Sequence, residues 1–273
     1  MTGATGNIGR HFVDWMLSSG YKNLILAVRN NSISKLDEST LLHCEIRTFH
    51  DLNFLSESEY AVLLDGVDVV VDLAWFSGPN LYGSLENLTW LYGKVDFARA
   101  CVRSQVSKYI GIGTCLEYRV SDEPHTVDSA IDPKCLYAQS KVVIHKLISK
   151  IFNESNVAFV WARIFFIEGL VSDGSKLHSY IDNNLKVGKK VTLGSSRRIR
   201  DYMHVQKVVE KLEMITTNSH IAGVFNICEG KKESIRDIAL RIAGNYKAEH
   251  LVSFNEDDSR PEEGEIIIGV PNL

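Results

Sequence analysis

"MTGATGNIGR" (1–10) opens the chain, and its reading decides the fold. Gly3, Gly6 and Gly9 stand three apart, and an apolar helical pattern follows at about 8–19. A helix N-terminus presents bare backbone N–H groups to a phosphate. Glycines let a pyrophosphate approach closely and let the helix pack onto a strand. Thr5, Asn7 and Ile8 complete the turn. Such a turn ordinarily follows a buried strand, yet here only Met1 and Thr2 precede it. The first strand is therefore expected to be missing, with those two residues as its stub.

Outward from this turn, short apolar runs alternate with helical patterns. "NLILAVR" (23–29), "HCEIRTF" (43–49), "VDVVVDLAW" (67–75), "KYIGIGT" (108–114) and "VAFVWARIFF" (157–166) read as strands. They are rich in Val and Ile and lack strict alternation, as strands buried on both faces should. Helical stretches fall at about 56–64, 86–104 and 134–153. The alternation predicts an α/β chain: a doubly wound, Rossmann-like parallel sheet with ligands beyond its carboxyl edge. After about residue 166 the rhythm changes. Helices at about 174–188, 205–217 and 233–246 alternate with short strands such as "KKVTLG" and "GVFNIC". Residues 1–165 thus read as the dinucleotide-binding domain, rejoined by 200–228. Residues 166–273 are mainly a smaller substrate-binding part.

The bulk composition excludes several classes. The 273 residues carry a net charge of −4, so no basic face invites nucleic acid or acidic lipid. The five cysteines, Cys44, Cys101, Cys115, Cys135 and Cys228, are odd in number and widely spaced. That pattern argues for reduced thiols in a cytoplasm, with no disulfide framework and no metal site. No apolar run reaches transmembrane length, so no membrane partner is expected.

The end of the 23–29 strand sorts cofactors. A carboxylate there would bind the adenosine ribose and imply NAD. The chain instead reads Leu26-Ala27-Val28-Arg29, and a cation can pair with a 2′-phosphate. Arg29 therefore points to NADP, with NAD as the alternative.

"GTCLEY" (113–118) and "YAQSK" (137–141) carry the chemistry. Tyr137 and Lys141 lie at i and i+4, on one helix face. A nearby ammonium and a cationic nicotinamide favour the phenolate. Bringing a phenol from about 10 to near neutrality takes about 4 kcal/mol. Thr114 ends its strand at the carboxyl edge, where its hydroxyl can hold a substrate oxygen. Together the three make a proton relay beside a hydride acceptor.

With these features in place, the chain resembles the extended short-chain dehydrogenases/reductases of the NAD-dependent epimerase/dehydratase group, whose members mostly act on nucleotide sugars. The turn at 2–9, "DVVVDLA" (68–74), "YAQSK", "RDYMHV" (200–205), "GVFNI" (223–227) and "RPEE" (260–263) match in order. The resemblance implies Tyr137 as general acid/base and Lys141 as the residue that positions the cofactor ribose and tunes Tyr137. Thr114 would bond the reacting sugar oxygen. Asp51 and Leu52 would contact adenine, and Leu73, Ala74 and Trp75 would line the nicotinamide end. Arg200 and Arg260 would hold the sugar nucleotide's diphosphate. The helices at 86–104 and 134–153 would form a homodimer interface. "IIIGVPNL" stops where members continue, so the natural protein is expected to extend beyond both ends.

Departures narrow the reaction. Dehydratases of this group carry Asp and Glu after the threonine, whereas Cys115 and Leu116 stand here and can act as neither acid nor base. Hydride transfer at sugar C4 remains, as 4-ketoreductase or as 4-epimerase. Arg29 tilts toward the reductase. A dinucleotide sensor without catalysis is disfavoured, because the Thr–Tyr–Lys set is intact.

Overall fold

The computed structural model describes residues 1–170, 177–255 and 264–273. The first half runs α1 (Asn7–Ser18), β1 (Ile25–Arg29), α2 (Glu38–His43), β2 (Glu45–Phe49), α3 (Glu57–Leu64), β3 (Val69–Asp72), α4 (Glu86–Arg103), β4 (Lys108–Thr114), α5 (Leu136–Asn153) and β5 (Ala158–Ile164). The second half adds β6 (Phe166–Glu168), α6 (Leu177–Leu185), β7 (Val191–Leu193), β8 (Ile199–Arg200), β9 (Tyr202–His204), α7 (Val205–Thr217), β10 (Gly223–Ile227), β11 (Glu233–Ser234), α8 (Ile235–Gly244), β12 (Val252–Phe254) and β13 (Ile266–Ile267).

The two residues expected to be the stub of the first strand take up part of its place. Thr2 makes parallel bridges to Ala27 of β1 and to Asp72 of β3. The Thr2 amide donates to Val71 O at 3.0 Å, and Met1 O accepts from Ala27 N at 2.8 Å. The Met1 ammonium donates to Ile25 O at 2.6 Å. Two residues thus occupy the central slot, joining β1–β2 to β3–β4–β5–β10 in one all-parallel sheet. A slot left open would expose two rows of unpaired backbone groups, and the stub satisfies part of them.

Helices cover both faces of the sheet. Phe97, Tyr109, Ile144, Ile148 and Phe152 pack between the sheet and α3, α4 and α5. Phe12, Met16, Ile110, Val208 and Leu212 pack between it and α1 and α7. Burial at about 25 cal/mol per Å² of apolar area is the main term holding these layers. β2 departs from the expected two-sided burial: its residues are half-buried to exposed, because it is the edge strand. α3 starts on a capping box, Ser56 with Glu59, which fixes the hand-over from β2 to β3.

The smaller part is built around α6, α8 and the β7–β12 pair, with Ile181, Leu185, Ile238 and Ile242 at its centre. β8 pairs with β11 and β13, and β6 pairs with β9. This part therefore sits just beyond the carboxyl end of β5.

Candidate active site

The glycine turn makes a cradle at the head of α1. Gly3 has φ +70°, which favours glycine, and a Cβ there would lie 2.8 Å from the Ala74 amide. A Cβ on Gly9 would lie 2.0 Å from Gly3 O, so only glycine lets α1 meet the turn. The Gly6 amide donates to Gly3 O at 3.0 Å. Gly6 is the N-cap, and no side chain caps the helix. The dipole end and its amides therefore face outward, the arrangement that suits a dinucleotide pyrophosphate. Thr5, Asn7 and Ile8 are only half-buried or exposed at its rim.

The adenine end falls at β1 and β2. Arg29 closes β1 and is exposed, with no acid at the strand end. Asp51 accepts the Asn53 amide at 2.9 Å and caps a short 3₁₀ turn. Leu52 is buried, and its carbonyl accepts from Tyr60 at 2.7 Å, so its side chain belongs to the core.

At the nicotinamide end, Leu73, Ala74 and Trp75 follow β3. The Ala74 amide donates to Thr2 Oγ1 at 3.2 Å, and the Trp75 indole donates to Asn87 Oδ1 at 2.9 Å. The Lys141 ammonium lies 3.8 Å from the Trp75 ring centre and donates to Ile112 O at 2.8 Å. Trp75 also meets the Tyr137 ring edge-on at 6.5 Å. Thr114, Tyr137 and Lys141 thus converge beside Trp75, at the carboxyl edge of β3 and β4. Tyr82 closes the far side of Tyr137, with ring centres 6.1 Å apart.

The electrostatics of Tyr137 differ from the expectation. Burial pushes the phenol up, and Tyr82, Glu117 and Cys115 add to it, while a hydrogen bond to the Thr114 side chain pulls the other way. The Lys141 ammonium is turned to Ile112 O, 5.8 Å from the Tyr137 ring centre. Lys141 is itself lowered to about 7, first by burial and then by the charge of Lys94; Asp72 and Glu117 oppose this.

Arg200 differs from an exposed diphosphate clamp. Arg200 is buried, and its guanidinium donates to the carbonyls of Ile199, Gly264 and Glu265 and lies over Phe166. In this state it is a strut between β8 and the β13 segment. Arg260 lies outside the described residues. Neighbouring Asp201 accepts the amides of Glu229, Gly230 and Gly269 at 2.9–3.0 Å, locking the loop after β10.

Two buried charge clusters escaped the sequence reading. Asp72 is bonded at 2.5 Å by Thr2, Lys94 and Tyr109. Glu117, fully buried, is paired with Arg163 at 2.7 Å. Burial pushes the Glu117 carboxyl up against the pull of Arg163. The signal was present: single charges inside otherwise apolar runs, "VVVDLA" and "VWARIFF", must find partners.

A parallel sheet with a phosphate cradle at its centre and a Thr–Tyr–Lys set at the neighbouring strand ends defines a dinucleotide-dependent enzyme of the doubly wound class. A family model described as "NAD dependent epimerase/dehydratase family" matches residues 1–228, and the chain belongs to that family. It is similar to the dTDP-6-deoxy-L-talose 4-dehydrogenase (NAD(+)) of Aggregatibacter actinomycetemcomitans, 23% identical over 93% of each chain. A shorter match, 27% identical over 42% of this chain and 39% of the other, is the ADP-L-glycero-D-manno-heptose-6-epimerase of Brachyspira hyodysenteriae. Among solved structures, the Thermus thermophilus UDP-glucose 4-epimerase in complex with NAD superposes with a TM-score of 0.83. It is 20% identical and covers 99% of this chain and 89% of its own. The Methanobrevibacter ruminantium UDP-N-acetylglucosamine 4-epimerase gives 0.86 at 18% identity, covering 99% and 88%. The chain is an enzyme of the oxidoreductase/epimerase type on the Rossmann-like fold. Among the described residues no helix is long and apolar enough to cross a membrane.

Proposed function

We propose that this chain is a nucleotide-sugar 4-ketoreductase that takes NADP at Arg29. The observation that carries the reading is the meeting of Thr114, Tyr137 and Lys141 beside the cradle, with no carboxylate directly after Thr114 to remove water. Cys115 and Leu116 follow Thr114, and the next acid, Glu117, is committed to Arg163. The nicotinamide supplies the hydride. Thr114 holds the sugar C4 oxygen, Tyr137 delivers its proton, and Lys141 positions the cofactor ribose. Gly3, Gly6 and Gly9 would hold the pyrophosphate, Asp51 with the backbone beside Leu52 would flank adenine, and Leu73 to Trp75 would border the nicotinamide. Arg260 takes the diphosphate of the sugar nucleotide, and Arg200 joins it once its carbonyl partners let go.

The relative from Aggregatibacter supports C4 oxidoreduction, since its name describes a 4-dehydrogenase. The same name prints NAD(+), and the Thermus epimerase was crystallised with NAD. Those observations favour a second reading, a 4-epimerase with bound NAD. Residues 1–165 with 200–228 form the dinucleotide-binding domain, and 166–273 mainly hold the substrate. The protein works as a cytoplasmic homodimer through α4 and α5.

The test is NADPH and NADH oxidation with UDP-4-keto-6-deoxy-D-glucose, run beside interconversion of UDP-glucose and UDP-galactose. Stoichiometric loss of NADPH absorbance is expected. Interconversion without net cofactor change would replace the reductase with the epimerase.

A further inference from the structure

We propose that Glu117 is a positioning residue for the reaction: its buried carboxylate holds Thr114 in the setting from which the hydroxyl meets substrate. The inference rests on the reading above, in which Thr114 bonds the sugar oxygen.

Glu117 Oε1 accepts the Thr114 amide at 2.9 Å and the Trp161 indole N–H at 3.1 Å. Glu117 Oε2 accepts Arg163 Nε at 2.7 Å. Each of these partners is a donor, which suits an acceptor-only group and no amide. The carboxylate can reach Thr114 only because residue 113 is glycine. A Cβ there would lie 2.4 Å from both Glu117 Oε1 and Trp161 Nε1. Thr114 Oγ1 in turn accepts the Leu116 amide at 3.4 Å, closing a reciprocal cap around a single turn. The Thr114 amide is thereby fixed by the carboxylate three positions on, and its hydroxyl by the amide of Leu116 within the same turn.

The anchor reaches further. Arg163 Nη1 donates to Tyr118 OH at 2.9 Å, and that hydroxyl donates to Asn226 Oδ1 at 2.6 Å. Asn226 Nδ2 donates to His125 O at 2.9 Å, and its amide donates to Asn272 Oδ1 at 2.8 Å. The turn carrying Thr114 is therefore tied to β5, to β10 and to the segment after β13. A misplacement of about 1 Å at a reacting group costs up to about 100-fold in rate.

The test uses Glu117→Gln, and Glu117→Leu with Arg163→Met, which removes the acceptor without leaving a buried charge unpaired. With NADPH and UDP-4-keto-6-deoxy-D-glucose, kcat should fall roughly 10- to 100-fold, with KM and the NADPH dissociation constant unchanged. In a Thr114→Val background the same changes should cost nothing more. Amide exchange at Thr114 should accelerate in both variants, a readout that needs no turnover. If the wild-type chain does not turn the sugar over, the substrate reading fails and amide exchange alone decides the positioning role. Full additivity with Thr114→Val, or unchanged exchange at Thr114 in both variants, would overturn it.

Discussion

Lys141 carries its charge in the least hospitable place in the site. Its ammonium is buried under Trp75, and its pKa falls from 10.5 to about 7. Between about 7 and 10.5 the unfolded chain holds a proton that the folded one does not. The stability of the cofactor-free protein should therefore rise with pH across that window. Below about 7 the folded protein bears the full cost of the buried ammonium. Lys141→Met should stabilise the cofactor-free protein at pH 7 by on the order of 4 kcal/mol, a gain that vanishes above about pH 10.5. Urea midpoints of both proteins at pH 6, 8 and 10 check the sign. Tyr137 answers to a different measurement. With its phenol held up by burial, the neutral form is the resident state, ready to donate. Tyr137→Phe should lower kcat by about 10²- to 10⁴-fold and leave cofactor binding intact. Turnover that survives the change would remove Tyr137 from the acid/base role.

At the scale of elements, β3 is the anchor of the site, because its last residue ties the stub, β4 and α4 together. Asp72 bonds Thr2 of the stub, Lys94 of α4 and Tyr109 of β4. Both charges are nearly inaccessible, so removing one strands the other. Lys94→Met should cost about 3–5 kcal/mol. Lys94→Met with Asp72→Asn should recover much of it, since neither charge is then left alone. Chemical denaturation of the three proteins reads this directly. The same cluster marks what the sequence could and could not disclose. The helices were legible to within a residue or two at most ends, as at α1, α3 and α7, because amphipathic spacing needs only local order. The glycine turn and the Thr–Tyr–Lys spacing were legible for the same reason. The pairing of Asp72 with Lys94, 22 residues on, depends on how α4 packs on the sheet, and that of Glu117 with Arg163, 46 residues on, on the register of β4 with β5. A single sequence does not encode that register in any local pattern. The setting of Arg200 was hidden for a related reason: its motif fits a ligand arm, whereas the carbonyl of Ile199 and two carbonyls of a distant segment, Gly264 and Glu265, hold it.

For the whole molecule, one surface stands apart from the rest of the charged exterior. Leu88 and Tyr92 of α4, with Leu85 just before it, and Val143 and Leu147 of α5 are 41–73% exposed on two helices that pack side by side. Their spacing of three and four residues lines each row along one helix face. Exposed apolar rows of this kind mark an interaction surface. A second copy of the same pair of helices would meet this patch with an equal one and close a two-fold interface. α5 also carries Tyr137 and Lys141 on its inner side, so the interface would stiffen the helix that presents the site. Where the proposed dimer forms, Leu88→Asp with Leu147→Asp should leave a monomer in light scattering across micromolar concentrations. Because the substituted positions face outward, far-UV circular dichroism should stay unchanged. The monomer should lose part of its kcat while its cofactor dissociation constant holds, since the glycine cradle lies on α1, outside the patch. A wild-type protein that is already monomeric at those concentrations would sink the interface, and equal kcat in a proven monomer would sink the coupling to α5.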